Sequence, residues 1–166
     1  MKTIRKTLAT ILSAAMLFTM STGAFAAMPS DAVESRHAEA IETLGALNIM
    51  VGDAGTGLFR PDDAIRRSEV AKVAVTALGL EDVAASADYP TKYPDVVADH
   101  WARGFINVAT NQGLVVGDDV GTFRPDDVIT YQEAMTILVR VIGHEPSAKV
   151  KGGYPTGYLV VGAENL

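Results

Sequence analysis

The chain has 166 residues, 48% of them hydrophobic, with 20 acidic against 14 basic side chains and no cysteine. That length suits one compact domain or a short repeat array, and a net charge of −6 argues against nucleic acid and anionic membrane surfaces as partners. Without cysteine there are no disulfides, thiolate zinc sites or cysteine nucleophiles, so a secreted form has to be held by its core alone.

Lys2, Arg5 and Lys6 open the chain, Leu8 to Met20 is an apolar run, and Ala24-Phe25-Ala26 is a small-x-small ending. This pattern predicts a secretory signal peptide over residues 1–26, cut after Ala26. The apolar run is shorter than the roughly 20 residues of a bilayer-spanning helix, so no membrane span is expected once it is removed. Removal takes three of the 14 basic residues and none of the acids, which brings the net charge near −9.

Residues 27–34 read as a short leader. Ala38, Ile41, Leu44 and Leu47 then fall on one helical face, and Asn48 is a suitable stop. After Ile49-Met50-Val51 comes a loop, Gly52–Glu69, GDAGTGLFRPDDAIRRSE. Val70, Val73, Ala74 and Ala77 predict the buried stripe of a second helix, which ends at Gly79. Residues 81–92 are rich in Ala, Asp and Ser and read as a linker.

The pattern then recurs. Asp99 is a plausible N-cap. Ala102, Phe105, Ile106 and Ala109 form an apolar face that Gly113 closes. Leu114-Val115-Val116 leads to a second loop, Gly117–Glu133, GDDVGTFRPDDVITYQE, whose Phe123 lies 64 positions after Phe59. Thr130 and Glu133 have capping-box spacing. Ala134, Ile137, Leu138 and Val141 predict the next stripe, with Gly143 as its stop. The chain is thus expected to be all-α, built of helix-loop-helix units at 27–80 and 93–145. Over 146–166 a further linker leads to the start of a third unit, with Leu159, Val160, Gly162 and Ala163 as candidate helix. The chain ends before a third loop, so that unit is expected to be truncated. Stacked repeats generally need about three units to bury a continuous core.

Asp95-Val96…His100-Trp101-Ala102…Ile106…Gly113-Leu114…Gly117-Asp118…Gly121-Thr122-Phe123-Arg124-Pro125-Asp126…Ile129-Thr130…Glu133-Ala134 resembles an S-layer homology repeat. Unit one resembles it in its loop and second helix but lacks the Trp. The resemblance implies a secreted bacterial protein of the cell wall or S-layer, with units packed as a pseudo-threefold bundle that is incomplete in this chain. It implies grooves between units that hold acidic, often pyruvylated, secondary cell-wall polysaccharide without catalysis. The family's second helix opens Ile-Thr-Arg-Ala-Glu, its Arg meeting the ligand's acid group. Unit one reads Ile65-Arg66-Arg67-Ser68-Glu69, keeping that Arg as Arg67. Unit two reads Ile129-Thr130-Tyr131-Gln132-Glu133, with Tyr131 in the Arg's place. The intact basic contact is therefore expected in unit one.

The residue chemistry supports several roles. An Arg at a helix start sits where free amides and the dipole favour an anion, and a guanidinium holds a carboxylate with two parallel bonds. The expected ligand-binding set is Arg67 and Arg66, with Trp101, Asp99, Gly117, Gly121, Thr122 and Tyr131. Trp101 offers a ring to a sugar face, or else covers the first helix. The glycines permit close backbone approach, or else only shape the turn. Glu69, Thr130, Glu133, Pro61 and Pro125 are expected to be structural. The paired aspartates lack the alternating spacing of a calcium loop, so no metal or cofactor is expected. No Gly-x-Ser-x-Gly is present, and His37, His100 and His144 sit at non-equivalent positions, so no catalysis is expected. The alternative function is protein–protein assembly, in which the units associate with one another.

Overall fold

The computed structural model describes residues 28–53 and 55–166; the expected signal segment lies outside them. Among the described residues there are seven helices: α1 Ala38–Ala46, α2 Arg67–Ala77, α3 Glu81–Ala85, α4 Arg103–Asn111, α5 Tyr131–Val141, α6 Glu145–Val150 and α7 Thr156–Asn165. They form no sheet, and Arg66 and Val128 meet only in an isolated antiparallel bridge. The expected all-α repeat architecture is borne out.

The expected stops end α1, α2, α4 and α5 in one way. Asn48, Gly79, Gly113 and Gly143 all take positive φ, between 60° and 76°. Each following amide reaches back to a carbonyl in the last turn, as in Ile49 N–H to Leu44 O at 2.8 Å and Leu114 N–H to Ala109 O at 2.8 Å. These are Schellman closures, which satisfy carbonyls that the helix leaves without partners.

Packing runs between units. Helix α2 of unit one lies against α4, the first helix of unit two, and α5 of unit two lies against α7. Because α2 also touches α5, its buried face is wider than one stripe and turned from the expected one. Val70, Ala71, Ala74 and Val75 are buried, while Val73 is only partly covered and Ala77 is exposed. In α5 the buried residues are Thr136, Ile137 and Val139, and Leu138 faces outward. Among the described residues no other helix approaches α1. Of its expected stripe only Ile41 is buried, and Leu47 is 62% exposed.

The two stretches expected as linkers carry helices α3 and α6. Glu81 and Asp82 occupy the first turn of α3, where acids offset the helix dipole. These short helices lie against α4 and α7, and small residues permit it. A Cβ on Gly104 would run into the carbonyl of Ala84, and one on Gly157 into that of Ala148. Both linkers thus clamp the first helix of the unit that follows. The third helix start falls where expected, and Tyr158 inside α7 is buried with its hydroxyl donating to Glu145 at 2.6 Å.

Candidate functional site

Each loop is built on an aspartate 28 residues before its Phe. Asp95 accepts the amides of Phe123, at 2.9 Å, and Arg124, at 2.6 Å. Asp31 accepts those of Phe59, at 3.0 Å, and Arg60, at 2.7 Å. Arg60 and Arg124 both hold positive φ, 55° and 56°, an uncommon conformation for a side-chain-bearing residue, and these bonds help fix it. Asp31 was read as part of a leader. Instead of a mere leader it is a structural part of the first loop, and neighbouring Ala32 is fully buried. The signal was available, because Asp31 and Asp95 are 64 positions apart, the same interval as Phe59 and Phe123.

The start of α2 is where the units join. Arg67 N–H donates to Asp127 O and Ser68 N–H to Pro125 O, both at 3.0 Å. The amides expected to be free for an anion are thus taken by backbone carbonyls of unit two. The Arg67 side chain is buried, 6% exposed. Its Nε donates to Phe123 O at 2.7 Å and its Nη1 to Glu133 at 2.5 Å, and the guanidinium lies 5.1 Å from the centre of the Phe123 ring. Glu133 also holds Arg124, at 3.4 Å.

Unit two carries a complete capping box. Thr130 Oγ1 accepts from Glu133 N–H at 3.3 Å, and Thr130 N–H donates to the Glu133 carboxylate at 2.9 Å. Unit one has half of one. Arg66 N–H donates to Glu69 at 2.7 Å, but an Arg side chain has no acceptor to reciprocate.

A groove of about 770 Å³ opens beside this junction. Its walls bring together Arg66, Trp101, Glu69 and Pro61 from the expected set. Arg60, Lys72, Asp53, Asp63, Phe59 and Asp126 join them. Trp101 is 56% exposed and stacks on His100, 5.9 Å between ring centres. His100 Nδ1 accepts from Ala102 N–H at 3.1 Å, which fixes the ring. Arg66 pairs with Asp126 of unit two at 3.0 Å, and Arg60 with Asp53 at 2.8 Å.

The remaining expected residues lie off this groove. Asp99 is not an N-cap: it sits in an exposed turn, and α4 starts only at Arg103, behind Ala102. Gly117 is pressed against the Tyr93 ring and Thr122 O, leaving no room for a Cβ. Thr122 donates its hydroxyl to Asp118 at 2.5 Å, and Gly121 holds φ 85° beside open space. These three shape the second loop. Pro125 is buried under the start of α2. Tyr131, the counterpart of Arg67, is 72% exposed.

Four carboxylates sit below their ordinary range. Asp31 is lowered by the Phe59 and Arg60 amides, Asp118 by the Thr122 hydroxyl and amide, and Glu145 by the Tyr158 hydroxyl and then Arg140. For Glu133, burial pushes upward most strongly, but the Thr130 amide and hydroxyl with Arg67 and Arg124 together outweigh it. Such groups bind protons more weakly folded than unfolded. Their stabilisation is present above the unfolded value, about 4, and is lost as pH falls through the folded one. The thermal midpoint is therefore expected to be flat from pH 7 to 5. Below pH 4 it should drop by about 5 °C or more, as scanning calorimetry would show.

Among the described residues no helix is long and apolar enough to cross a membrane. The chain is 36% identical over 169 residues to a surface layer protein of Brevibacillus choshinensis, covering 98% of this chain and 15% of that protein. It is 34% identical over 166 residues to a middle cell wall protein of Brevibacillus brevis, covering 97% and 16%. It is 33% identical over 97 residues to a cellulosome-anchoring protein of Acetivibrio thermocellus, covering 58% and 21%. These relatives place it among secreted proteins of the bacterial cell surface. The S-layer homology domain itself matches twice, over residues 30–71 and 92–135. The first match takes in Asp31 and the second Asp95, so both copies of the loop and its supporting aspartate lie inside the repeat. With just over half of its length matched in this way, the chain belongs to the S-layer homology domain family.

Proposed function

We propose that this chain is a non-catalytic anchoring module that holds acidic, pyruvylated secondary cell-wall polysaccharide in the groove between its first two units. The observation that carries the reading is the groove itself. In a chain of net negative charge, its lining combines an exposed Trp101 with Arg60, Arg66 and Lys72 among the carboxylates of Asp53, Asp63, Glu69 and Asp126, and of these cations Lys72 has no ion-pair partner among the described residues. Sugar rings offer apolar faces to an indole and hydroxyls to its N–H, and cations supply the complement to the polymer's acid groups. Arg67, committed to Phe123 and Glu133, supports the groove from behind. The names of the relatives, a cell wall protein and an anchoring protein, agree with attachment to the wall. The test is co-sedimentation of the chain with purified wall sacculi. The native protein should pellet, and Trp101→Ala should weaken binding about tenfold with an unchanged melting curve. No pelleting of the native protein would overturn the proposal.

A second reading, assembly of one chain on another, has one observation in its favour. Helix α1 has no helix partner among the described residues, and Val33, Leu47 and Val51 around it are exposed. A concentration-dependent solution mass, with no pelleting, would favour it.

A further inference from the structure

We infer that Arg66 and Lys72 form the carboxylate subsite of this groove, and that Asp126 occupies it as an internal stand-in until a ligand's acid group displaces it. The inference rests on the anchoring reading above and assigns its charge recognition to Arg66, which stands where the repeat has Thr, and to Lys72, rather than to the motif arginine, Arg67.

Arg66 stands where the repeat has a capping Thr, and unit two keeps that Thr as Thr130. The substitution gives up half of a capping box, as the unreciprocated Glu69 bond shows. In exchange it sends a cation into the groove, where it reaches across to Asp126 of the other unit at 3.0 Å. Both side chains are mostly exposed, 55% and 63%. An ion pair in that setting contributes little to stability, so exchanging one carboxylate for another costs the fold little. Lys72, six residues further along, is partly buried, lines the groove and has no ion-pair partner among the described residues. Its counterpart 64 positions on is Thr136, which donates back to Gln132 O at 2.8 Å. Unit two thus lacks both cations at the equivalent points. Its one loop cation, Arg124, is held by Asp118, Asp127 and Glu133.

Asp126 marks the geometry the ligand would take. Its carboxylate sits between Arg66 and His100, whose Nε2 is 3.9 Å away, and His100 carries the Trp101 ring. Trp101 and Asp126 line the same groove, so a sugar on the indole and an acidic substituent in place of the Asp126 carboxylate would share one site.

The experiment compares native protein, Arg66→Ala, Lys72→Ala and Asp126→Ala by calorimetric titration. The probes are purified acidic wall polysaccharide and the same polymer with its carboxyl groups chemically reduced. Melting curves check the fold, and all three variants should melt with the native protein. For the acidic polymer, Arg66→Ala is expected to lose about tenfold in affinity, Lys72→Ala severalfold, and Asp126→Ala to gain about two- to fivefold. For the reduced polymer the four proteins should bind alike and more weakly. Equal binding of the acidic polymer by native, Arg66→Ala and Lys72→Ala would overturn the subsite while leaving the anchoring reading standing. Equal losses on both polymers would overturn the carboxylate assignment. No gain in Asp126→Ala would overturn the stand-in role. Failure of the native protein to bind either polymer would remove the anchoring reading, and the subsite with it.

Discussion

Arg67→Ala is expected to destabilise the protein by about 3 kcal/mol, a drop of roughly 10 °C in the thermal midpoint. The guanidinium is buried at the junction of two units, donating to Phe123 O and Glu133 while covering the Phe123 ring. Removing it leaves a buried carbonyl without its donor and a carboxylate without its nearest cation. Glu133 keeps Arg124 and the Thr130 contacts, which holds the cost near the lower end for a broken buried pair. Tyr131→Ala, the same position one unit later, should change stability by less than about 0.5 kcal/mol, because its side chain is exposed. Chemical denaturation of the two variants side by side is the measurement. Equal midpoints would show that Arg67 is not the joint between the units. An arginine placed at a helix start as a ligand contact would be lost without cost to the fold, whereas Arg67 is buried.

Phe123→Ala should cost about 3–5 kcal/mol. The ring is 1% exposed, 5.3 Å from the Tyr93 ring and under Arg67. Its backbone is also fixed, by Asp95 on the amide and Arg67 on the carbonyl. Phe59 has the same place in the first loop and the same aspartate support, yet is only partly buried. Phe59→Ala should therefore cost about half as much or less, since the loss follows the area removed from water. Equal costs in urea titrations would contradict the asymmetry between the two loops.

These paired positions show what could and could not be read in advance. Helix stops were legible because they are local. A positive-φ residue whose following amide closes onto a carbonyl five residues back needs no knowledge of the rest of the chain. The capping box at Thr130 and Glu133 was legible for the same reason. The 64-residue interval of the loops pointed to repeated units, and would have exposed Asp31 had it been applied to the leader. The helix faces were less legible. A stripe of period 3.6 identifies a helix with one covered side, but α2 is covered on two sides and, among the described residues, no helix covers α1. The helices of the linkers, too, are packed into place by Gly104 and Gly157, which lie 20 and 9 residues from the carbonyls they admit.

By itself, then, the sequence determined that this protein is a set of helix-loop-helix units of the S-layer homology type, with stops, caps and loops in register. Those features depend on contacts within a few residues, and each copy carries its stops and its loop, with the complete capping box only in the second. Only the tertiary structure decided which copy does what. Arg67 meets Glu133 across 66 residues and Phe123 across 56, and Arg66 meets Asp126 across 60. At those separations a residue's role is set by which unit lies against it. Two adjacent arginines in one motif therefore end on opposite sides of the junction, one buried as its pin and the other open to the groove.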